Sequence, residues 1–410
     1  MSKSSSPGRR ALDNTGGKAT AHGDAGEGAR LASILDGAQA RDVDWLTHGF
    51  HSYPARMHPA VARGVLAAYA TPGDRVLDPF CGSGTVLVES LIAGMRSRGV
   101  DLNPIAVRLS GVKCQVRDAK SRAAFSKMLA EVVEVSKERV RRKAPAMAPL
   151  SAQERKNYEV HVLKELAGLH DIISAIDPGP DKTALQMLLT AIVVKFSKQR
   201  ADTADDENTT PRRIGRFIPS EFYGRKGEEL IERWASLEEA CEARKDQWHR
   251  PKVVENDASR IADALPPKWA AHLILTSPPY GGTYDYVNHH ARRYPWLGVS
   301  TKSFTAGELG ARRNYGSGGK AQRWDEEVTT MLGSMHSVLE EQGQIVLLMG
   351  DGEIAGERVD VVPQLQRLCT PLELRVVAWA TQTRPDWKGG RGSTRGEHLV
   401  LIRRGVNTTY

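Results

Sequence analysis

Short apolar segments alternate with longer segments of helical spacing in two parts of the chain. The first part predicts a helix at Ala60–Tyr69, a strand at Arg75–Leu77, a helix at Val86–Ala93 and a strand at Ser97–Val100. A strand, a turn, a helix and a second strand make a βαβ unit, in which the two strands run parallel. The pattern therefore predicts an α/β fold with a parallel sheet.

The same alternation returns after Lys252. Strands are predicted at Val253–Val254, His272–Leu275, Gln344–Met349, Leu374–Trp379 and His398–Ile402. Helical spacing separates the later strands at Glu326–Leu339 and Val362–Leu368. We therefore predict one α/β domain built from residues 41–114 and 253–410.

Residues 115–252, which separate these two parts, have a different pattern. Helical spacing recurs there over Ala119–Arg142, Glu154–Ile176, Lys182–Lys198 and Gly227–Lys245. This pattern predicts a mostly helical insert between the two parts of the α/β domain.

The N-terminal segment, residues 1–40, is rich in Ser, Gly and Ala and has few large apolar side chains. Such a segment buries too little apolar surface to offset the entropy lost on ordering. We therefore predict a disordered, flexible tail over residues 1–40. A short helix near Leu31–Leu35 is the alternative.

Composition and charge narrow the function classes only slightly. Lys and Arg outnumber Asp and Glu by 57 to 49 in the 410 residues, which permits a polyanionic partner without requiring one. The four cysteines lie far apart without a C-x-x-C pair, so we predict no disulfide framework and no metal site. Because no apolar run reaches about 18 residues and no signal peptide is evident, we expect a cytoplasmic protein without a membrane span.

The first candidate site is the segment Asp78–Thr85, with the sequence DPFCGSGT, at the end of a predicted strand. Gly82 and Gly84 would let backbone N–H groups approach a ligand, and the following helix start offers unpaired donors. Asp101 ends the next strand, where doubly wound folds place a carboxylate for ribose hydroxyls. A structural βα turn with a surface aspartate is the alternative.

This loop lacks the spacing of dinucleotide sites and the Gly-Lys-Ser/Thr ending of a P-loop. The carboxylate of Asp78 at its head suits a cationic ligand better than a pyrophosphate. The sulfonium and amino group of S-adenosylmethionine fit that charge.

The second candidate site is Ser277-Pro278-Pro279-Tyr280, directly after the apolar strand His272–Leu275. Neither proline has an N–H group, so this corner presents hydrogen-bond acceptors, which suit an exocyclic amino group. Tyr280 offers a flat face on which an extruded base could stack. A strand terminator with a core tyrosine is the alternative.

Together these two segments resemble those of the DNA amino-methyltransferases, which methylate N4 of cytosine or N6 of adenine. Three further segments, Phe50–Met57, Gly99–Pro104 and Asn256-Asp257, resemble the family's cofactor-closing segment and its ribose-binding and adenine-binding strand ends. Glu397–Val400 resembles its late hairpin strand. The resemblance covers residues 44–115 and 253–405.

The resemblance implies a Rossmann-like sheet of seven strands, the last antiparallel, with S-adenosylmethionine as the methyl donor. It implies cofactor contacts from Tyr53, Asp78, Phe80, Gly82, Gly84, Thr85, Asp101, Asn103 and Asp257. It implies that Ser277, Pro278, Pro279 and Tyr280 are the catalytic residues. Because S-P-P-Y is associated with cytosine and D-P-P-Y with adenine in that family, Ser277 favours N4-methylcytosine as the product.

Two segments compete for recognition of the target sequence. The helical insert lies between the ribose-binding and adenine-binding strands, which is not the family's usual place for that region, so it either recognises the target or has another role. The stretch His289–Arg323 interleaves aromatic residues with basic ones, of which Arg292, Arg293, Arg312 and Arg313 are the candidate DNA contacts. A solvated basic loop is the alternative for that stretch.

The resemblance further implies double-stranded DNA with a flipped target base as the substrate, and it allows a cognate restriction endonuclease as a partner. Three alternatives remain open. The first is an N6-adenine DNA methyltransferase, the second an RNA base N-methyltransferase, and the third a non-catalytic nucleic-acid-binding module.

Overall fold

A mixed sheet of eight strands runs through the molecule. The computed structural model describes residues 17–38, 43–198, 213–243, 248–282, 285–315, 321–354, 356–385 and 394–405. The strands of the sheet are β1 (Thr20–Gly23), β2 (Arg75–Asp78), β3 (Arg96–Asp101), β4 (Lys252–Glu255), β5 (Ala271–Thr276), β6 (Leu339–Gly350), β9 (Leu374–Pro385) and β10 (Thr394–Arg404). A separate hairpin consists of β7 (Gly352–Ile354) and β8 (Glu357–Val359).

The strand order in the sheet is β1-β9-β10-β6-β5-β2-β3-β4. Neighbours from β6 to β4 are parallel, whereas β10 is antiparallel to both β6 and β9. The predicted Rossmann-like α/β class with an antiparallel last strand is confirmed. In such a sheet, ligands bind at the carboxyl ends of the parallel strands.

Helices cover both faces of the sheet and form the insert. In chain order they are α1 (Ala25–Asp36), α2 (Pro59–Tyr69), α3 (Thr85–Ile92), α4 (Pro104–Lys113), α5 (Ala119–Arg141), α6 (Ala152–Arg155), α7 (Val160–Ser174), α8 (Pro180–Val193), α9 (Ile218–Glu242), α10 (Tyr286–His290), α11 (Tyr294–Leu297), α12 (Lys302–Gly307), α13 (Ala321–Ser337) and α14 (Val361–Cys369). Among the described residues, no helix combines the length and the apolar character needed to cross a membrane.

Strand β6 shows how the sequence divides the core into two layers. Ile345 and Leu347 belong to the apolar layer that α13 and α14 cover, whereas Val346 and Leu348 belong to the layer under α1 and α2. Successive side chains of a strand point to opposite faces, so a continuous apolar run predicts a strand buried on both sides.

The prediction of a flexible tail over residues 1–40 is wrong for residues 17–38. Strand β1 pairs antiparallel with the edge strand β9, which raises the predicted seven strands to eight. Leu31 and Leu35 of α1 are buried against the sheet, and Glu27 accepts hydrogen bonds from Arg403 (2.6 Å) and the Tyr69 hydroxyl (2.9 Å). Backbone pairing and two buried leucines supply the stabilisation that the composition did not indicate. Residues 1–16 lie outside the described residues.

The predicted helical insert contains α5 to α9, but the predicted helix over Glu154–Ile176 is divided into α6 and α7. Its apolar core is continuous with α4, because Leu109 and Val112 belong to the same cluster as the insert residues. The indole N–H of Trp234 donates to the Val112 carbonyl at 3.1 Å. The insert is therefore packed on the α/β domain rather than attached by linkers alone.

The basic stretch that starts at His289 contains short helices instead of an exposed loop. Its aromatic residues Tyr294, Trp296 and Tyr315 are buried in three different apolar clusters. The expectation that they interleave with basic groups on a nucleic-acid surface is wrong, because each ring packs against helices or strands that are distant in the sequence.

Candidate active site

An open cavity lies at the carboxyl ends of β2, β3, β4 and β5, which is where sheets of this kind bind their ligands. The residues from both predicted sites that line it are Tyr53, Phe80, Gly82, Asp101, Asn103, Asp257, Ser277 and Pro279. The fold therefore brings the glycine loop and the proline corner to one cavity.

The loop after β2 has a backbone that favours glycine. Gly82 and Gly84 have positive φ angles of 47° and 83°. A Cβ on Gly84 would lie 2.8 Å from the Cβ of Ser110, and one on Gly82 would lie 3.3 Å from the Tyr53 ring. The N–H of Gly82 donates to Oδ2 of Asp101 at 2.8 Å, which fixes the loop to the end of β3.

Asp101 lines the cavity, and the pKa of its carboxyl group is raised. Burial raises the pKa of its carboxyl to about 6, although the backbone N–H groups of Asn103 and Gly82 donate to it and oppose the shift. A carboxylate that has given up part of its hydration binds hydrogen-bond donors strongly once it is ionised.

Asp78, Gly84 and Thr85 are absent from the described residues that line the cavity. Asp78 is buried, and its Oδ1 accepts from the Thr276 hydroxyl (2.6 Å) and the Phe80 N–H (3.2 Å). Burial raises the pKa of this carboxyl to about 7, and the two hydrogen bonds oppose the shift. Asp78 thus ties the glycine loop to the end of β5, a role that the sequence did not predict.

Asn103 and Asp257 line the cavity, and each also caps the start of a helix. Oδ1 of Asn103 accepts from the Ile105 N–H (3.0 Å) at the start of α4, and Oδ1 of Asp257 accepts from the Ser259 N–H (2.8 Å). Such caps satisfy donors that a helix start leaves unpaired, and they fix both side chains at the strand ends.

Tyr53 lines the cavity and packs against the apolar cluster that contains the insert residues. Its ring lies against that of His290, with centroids 4.8 Å apart, and the amide of Asn103 contacts its hydroxyl at 3.4 Å. Nearby, Nε2 of His51 and the hydroxyl of Thr190, in helix α8, are 3.1 Å apart. Burial lowers the pKa of His51 and that of His290 well below the ordinary value, so both imidazole rings are neutral near pH 7.

The proline corner exposes Ser277 and Pro279 to the cavity, while Pro278 and Tyr280 are absent from its described lining. The Tyr280 hydroxyl donates to Oε1 of Glu397 in β10 at 3.0 Å. Burial raises the pKa of Tyr280, against the effect of a hydrogen bond with Ser277. The corner is therefore held by side chains of its own segment and by the late hairpin.

The face of Tyr280 is partly covered. A Cβ on Gly350 would lie 2.7 Å from the Tyr280 ring, and the guanidinium of Arg395 lies 5.6 Å from the ring centroid. The acid that fixes the Tyr280 hydroxyl, Glu397, is itself paired with Arg384. A ligand that stacks on this ring must therefore compete with Arg395.

The four arginines predicted to contact DNA differ in their burial. Arg293 is 1% exposed and donates to the carbonyls of Thr190 (3.2 Å) and His289 (3.2 Å), so its prediction as a DNA contact is wrong. Arg292 is half-buried, and burial lowers its pKa. The side chains of Arg312 and Arg313 lie outside the described part of the structure.

Sequence reasoning missed nine residues that line the cavity. They are Ala55, Pro79, Leu102, Ala258, Tyr286, Phe304, Gly307, Glu308 and Leu309. The first four are next to, or two residues from, predicted contacts, and that proximity was the available signal. The last five follow the proline corner, in a stretch without periodicity that gave no signal for this cavity.

Comparisons with known proteins match parts of the chain. The sequence model of a DNA methylase family matches residues 30–111. The Type II methyltransferase M.MjaII of Methanocaldococcus jannaschii is 33% identical over 91 residues, which are 22% of this chain and 17% of that protein. The Type II methyltransferase M.BsoBI of Geobacillus stearothermophilus is 22% identical over 261 residues, which are 56% of this chain and 48% of that protein.

A third similar protein is named as a tRNA methyltransferase. The tRNA (guanine(10)-N2)-dimethyltransferase of Methanothermobacter thermautotrophicus is 42% identical over 52 residues, which are 12% of this chain and 16% of that protein. The chain spans less than half the length of the curated relatives it matches.

Proposed function

We propose that the chain is a DNA amino-methyltransferase that methylates an exocyclic amino group of a base in DNA, with S-adenosylmethionine as the methyl donor. Its similarity to a DNA methylase family over residues 30–111 and to two Type II methyltransferases supports this proposal. We propose N4 of cytosine as the acceptor. The observation that carries the proposal is the single cavity shared by Gly82, Asp101 and Asp257 on one side and by Ser277 and Pro279 on the other.

The residues at the cavity fit the cofactor. Asp101 and Asp257 offer carboxylate oxygens to ribose hydroxyls and to an adenine amino group, and Glu308 adds a third acid. Gly82 keeps the space that a Cβ would fill next to Tyr53. When bound, S-adenosylmethionine supplies a methyl group on a positively charged sulfonium, and an acidic cavity stabilises that charge.

The proline corner would position the acceptor. Enzymes that act on a base in DNA extrude it from the duplex, at a cost of a few kcal/mol. The carbonyl of Pro278 and the hydroxyl of Ser277 would accept the amino hydrogens, which orients the nitrogen lone pair towards the methyl group. The nitrogen would then attack the methyl carbon in line, so that the N–C bond forms as the C–S bond breaks and S-adenosylhomocysteine leaves. The methylated nitrogen would lose one proton to solvent, and positioning would supply much of the acceleration.

The choice of cytosine rests on Ser277. In the family that the chain resembles, a serine at this place is associated with N4-methylcytosine and an aspartate with N6-methyladenine. A tRNA methyltransferase among the relatives keeps an RNA base as the second candidate acceptor.

A mass analysis of nucleosides tests the acceptor. Purified protein is incubated with S-adenosylmethionine and unmethylated DNA or RNA, and the nucleic acid is digested. N4-methylcytosine from DNA is the expected product. N6-methyladenine would refute the role of Ser277 in choosing the base, and a product from RNA alone would refute DNA as the substrate.

Substitutions at the corner test the mechanism. We expect Ser277→Ala to reduce the turnover rate about tenfold or more and to leave the Kd for S-adenosylmethionine within about twofold, because the hydroxyl contacts the acceptor. Tyr280→Ala should raise KM for DNA, whereas the matched variant Tyr280→Phe keeps the ring and should raise KM less. Wild-type kinetics in both Ser277→Ala and Tyr280→Ala would refute the mechanism.

The helical insert is the candidate for recognition of the target sequence. We propose that the insert (residues 115–252) contributes to target recognition. The 3.1 Å contact between Thr190 of the insert and His51, two residues before the cavity-lining Tyr53, supports this proposal. A cognate restriction endonuclease stays a proposal that depends on a DNA substrate, and the cytoplasmic location predicted from the sequence also stays a proposal. Replacing the insert's exposed basic residues should then alter the methylated sequence context.

A further inference from the structure

Residues 44–57, which we call the rim segment, supply one edge of the cavity. Tyr53 and Ala55 of this segment line the cavity. All residues of the rim segment are described, and its regular structure is a short 3-10 helix at Leu46–Phe50. Because the segment does not pair with the sheet, its contacts with other elements determine where it places Tyr53.

Two residues of the rim segment have backbone conformations that require support from their surroundings. Leu46 and Ala55 have φ angles of 47° and 51°, in the left-handed region that residues with side chains rarely adopt. Such conformations persist where surrounding contacts hold them, and they recur at ligand sites. The contacts at Leu46 therefore affect the course of the chain towards Tyr53.

An arginine of the insert supplies contacts at that place. Nη1 of Arg233, in helix α9, donates to the carbonyl of Leu46 (2.5 Å) and to that of Asp44 (2.7 Å). A Cβ on Gly49 would lie 2.7 Å from Nη2 of Arg233, so the guanidinium lies directly against the backbone of the 3-10 helix. Glu229, one turn earlier in α9, accepts from Nε of Arg233 at 2.9 Å and orients the guanidinium.

The middle of the rim segment is held by the α/β domain. The carbonyl of His48 accepts from Nζ of the buried Lys113 at 3.1 Å and also from Arg56. Nε2 of His48 lies 2.9 Å from Oε1 of Glu89 in helix α3. The α/β domain thus fixes His48, whereas the insert fixes the start of the rim segment, where Leu46 has its left-handed conformation.

We propose that Arg233 is a positioning residue for the cofactor, because it holds the rim segment in the conformation that presents Tyr53 to S-adenosylmethionine. The inference rests on the proposed function in that the cofactor occupies this cavity. A guanidinium donates in a rigid planar fork, so one side chain can fix two neighbouring carbonyls. The insert then belongs to the cofactor site, although it supplies none of the described residues that line the cavity.

Calorimetric titration of the full chain with S-adenosylmethionine tests the inference. Arg233→Met keeps an unbranched apolar stem without donors, and we expect it to raise the Kd about tenfold or more. Arg233→Lys keeps a cation that can donate to one carbonyl and should raise the Kd less, about threefold. The matched control is Arg122→Met, which breaks an ion pair with Glu238 inside the insert and should leave the Kd unchanged.

A double variant separates positioning from general loss of stability. If Arg233 acts through Tyr53, then Tyr53→Ala and Arg233→Met together should raise the Kd no more than the larger single effect. A merely structural role would give effects that multiply. Thermal unfolding without ligand checks that each variant is folded, and the same titrations with Arg233→Lys decide the matter if Arg233→Met is unfolded.

Four results would overturn the inference. They are a wild-type Kd in the folded Arg233 variant, an equal rise in Arg122→Met, multiplied effects in the double variant, and a wild-type protein that does not bind S-adenosylmethionine. Failure of the proposed function has a different signature. The wild type would then bind S-adenosylmethionine, and Arg233→Met would weaken that binding, yet no base in DNA would be methylated.

Discussion

Asp101 shows how burial changes what a single carboxyl group does. Its pKa is raised to about 6 by burial, against an ordinary value of 3.8. In the folded protein the group therefore keeps its proton to a higher pH than in the unfolded chain. Its contribution to folding stability is present below about pH 4 and is lost as the pH rises through about 6.

Cofactor binding should depend on pH in the opposite sense. Ionised Asp101 accepts hydrogen bonds from hydroxyl groups better than its protonated form does, so the Kd for S-adenosylmethionine should fall about tenfold per pH unit up to about pH 6 and then level off. Titration calorimetry between about pH 5 and pH 7.5 measures this. Asp101→Asn should weaken binding and remove the dependence near pH 6, whereas Asp177→Asn, at an exposed site, should keep it. A Kd that is constant across this range in the wild type would contradict the assignment.

At the scale of elements, the N-terminal pair β1 and α1 completes the sheet. Strand β1 contributes backbone pairs with β9, and α1 contributes two leucines to a core layer. An edge strand with unpaired backbone groups invites association with other chains, and β1 covers that edge of β9. A segment with a tail-like composition thus has a structural role.

Truncation of one side chain tests that role. Leu31→Ala should lower the free energy of unfolding by about 2–5 kcal/mol, because Leu31 is fully buried and its removal leaves a cavity. Ser33→Ala changes an exposed residue of the same helix and should cost less than about 0.5 kcal/mol. Urea unfolding followed by circular dichroism measures both. Equal stability of Leu31→Ala and wild type would mean that α1 is detached in solution.

At the scale of the whole molecule, the insert and the α/β domain share one apolar cluster. Phe50 and Val112 from the α/β part pack in the same cluster as Leu188 and Trp234 from the insert. Arg233 of the insert also donates to the carbonyls of Asp44 (2.7 Å) and Leu46 (2.5 Å). Two parts that share a core are expected to unfold together.

This shared core predicts a single unfolding transition. Trp234→Ala should lower the free energy of unfolding by about 3–5 kcal/mol. The urea midpoint measured by circular dichroism and the midpoint measured by hydrogen exchange in the sheet should fall by the same amount. Val160→Ala, at a site that is 70% exposed, should leave both midpoints unchanged. Separate transitions for insert and sheet would contradict the shared core.

The amino-acid sequence by itself determined the features that depend on neighbouring residues. Short apolar runs predicted β2, β5 and β6, because a strand buried on both faces needs a continuous apolar segment. The glycines after β2 and the prolines after β5 marked two strand ends, because each restricts its own backbone. Parallel strands end at one edge of a sheet, and this is why the structure brings these two strand ends to one cavity.

The tertiary structure alone decided the features that depend on residues distant in the sequence. Arg293 and Trp296 have the composition of a nucleic-acid surface, yet both are buried by contacts with the insert. Strand β1 has no apolar pattern, and it forms because β9 offers an unpaired edge. Phe304 lines the cavity because α12 packs across the ends of β3 and β4. Burial and edge pairing are properties of the assembled chain, and no local pattern specifies them.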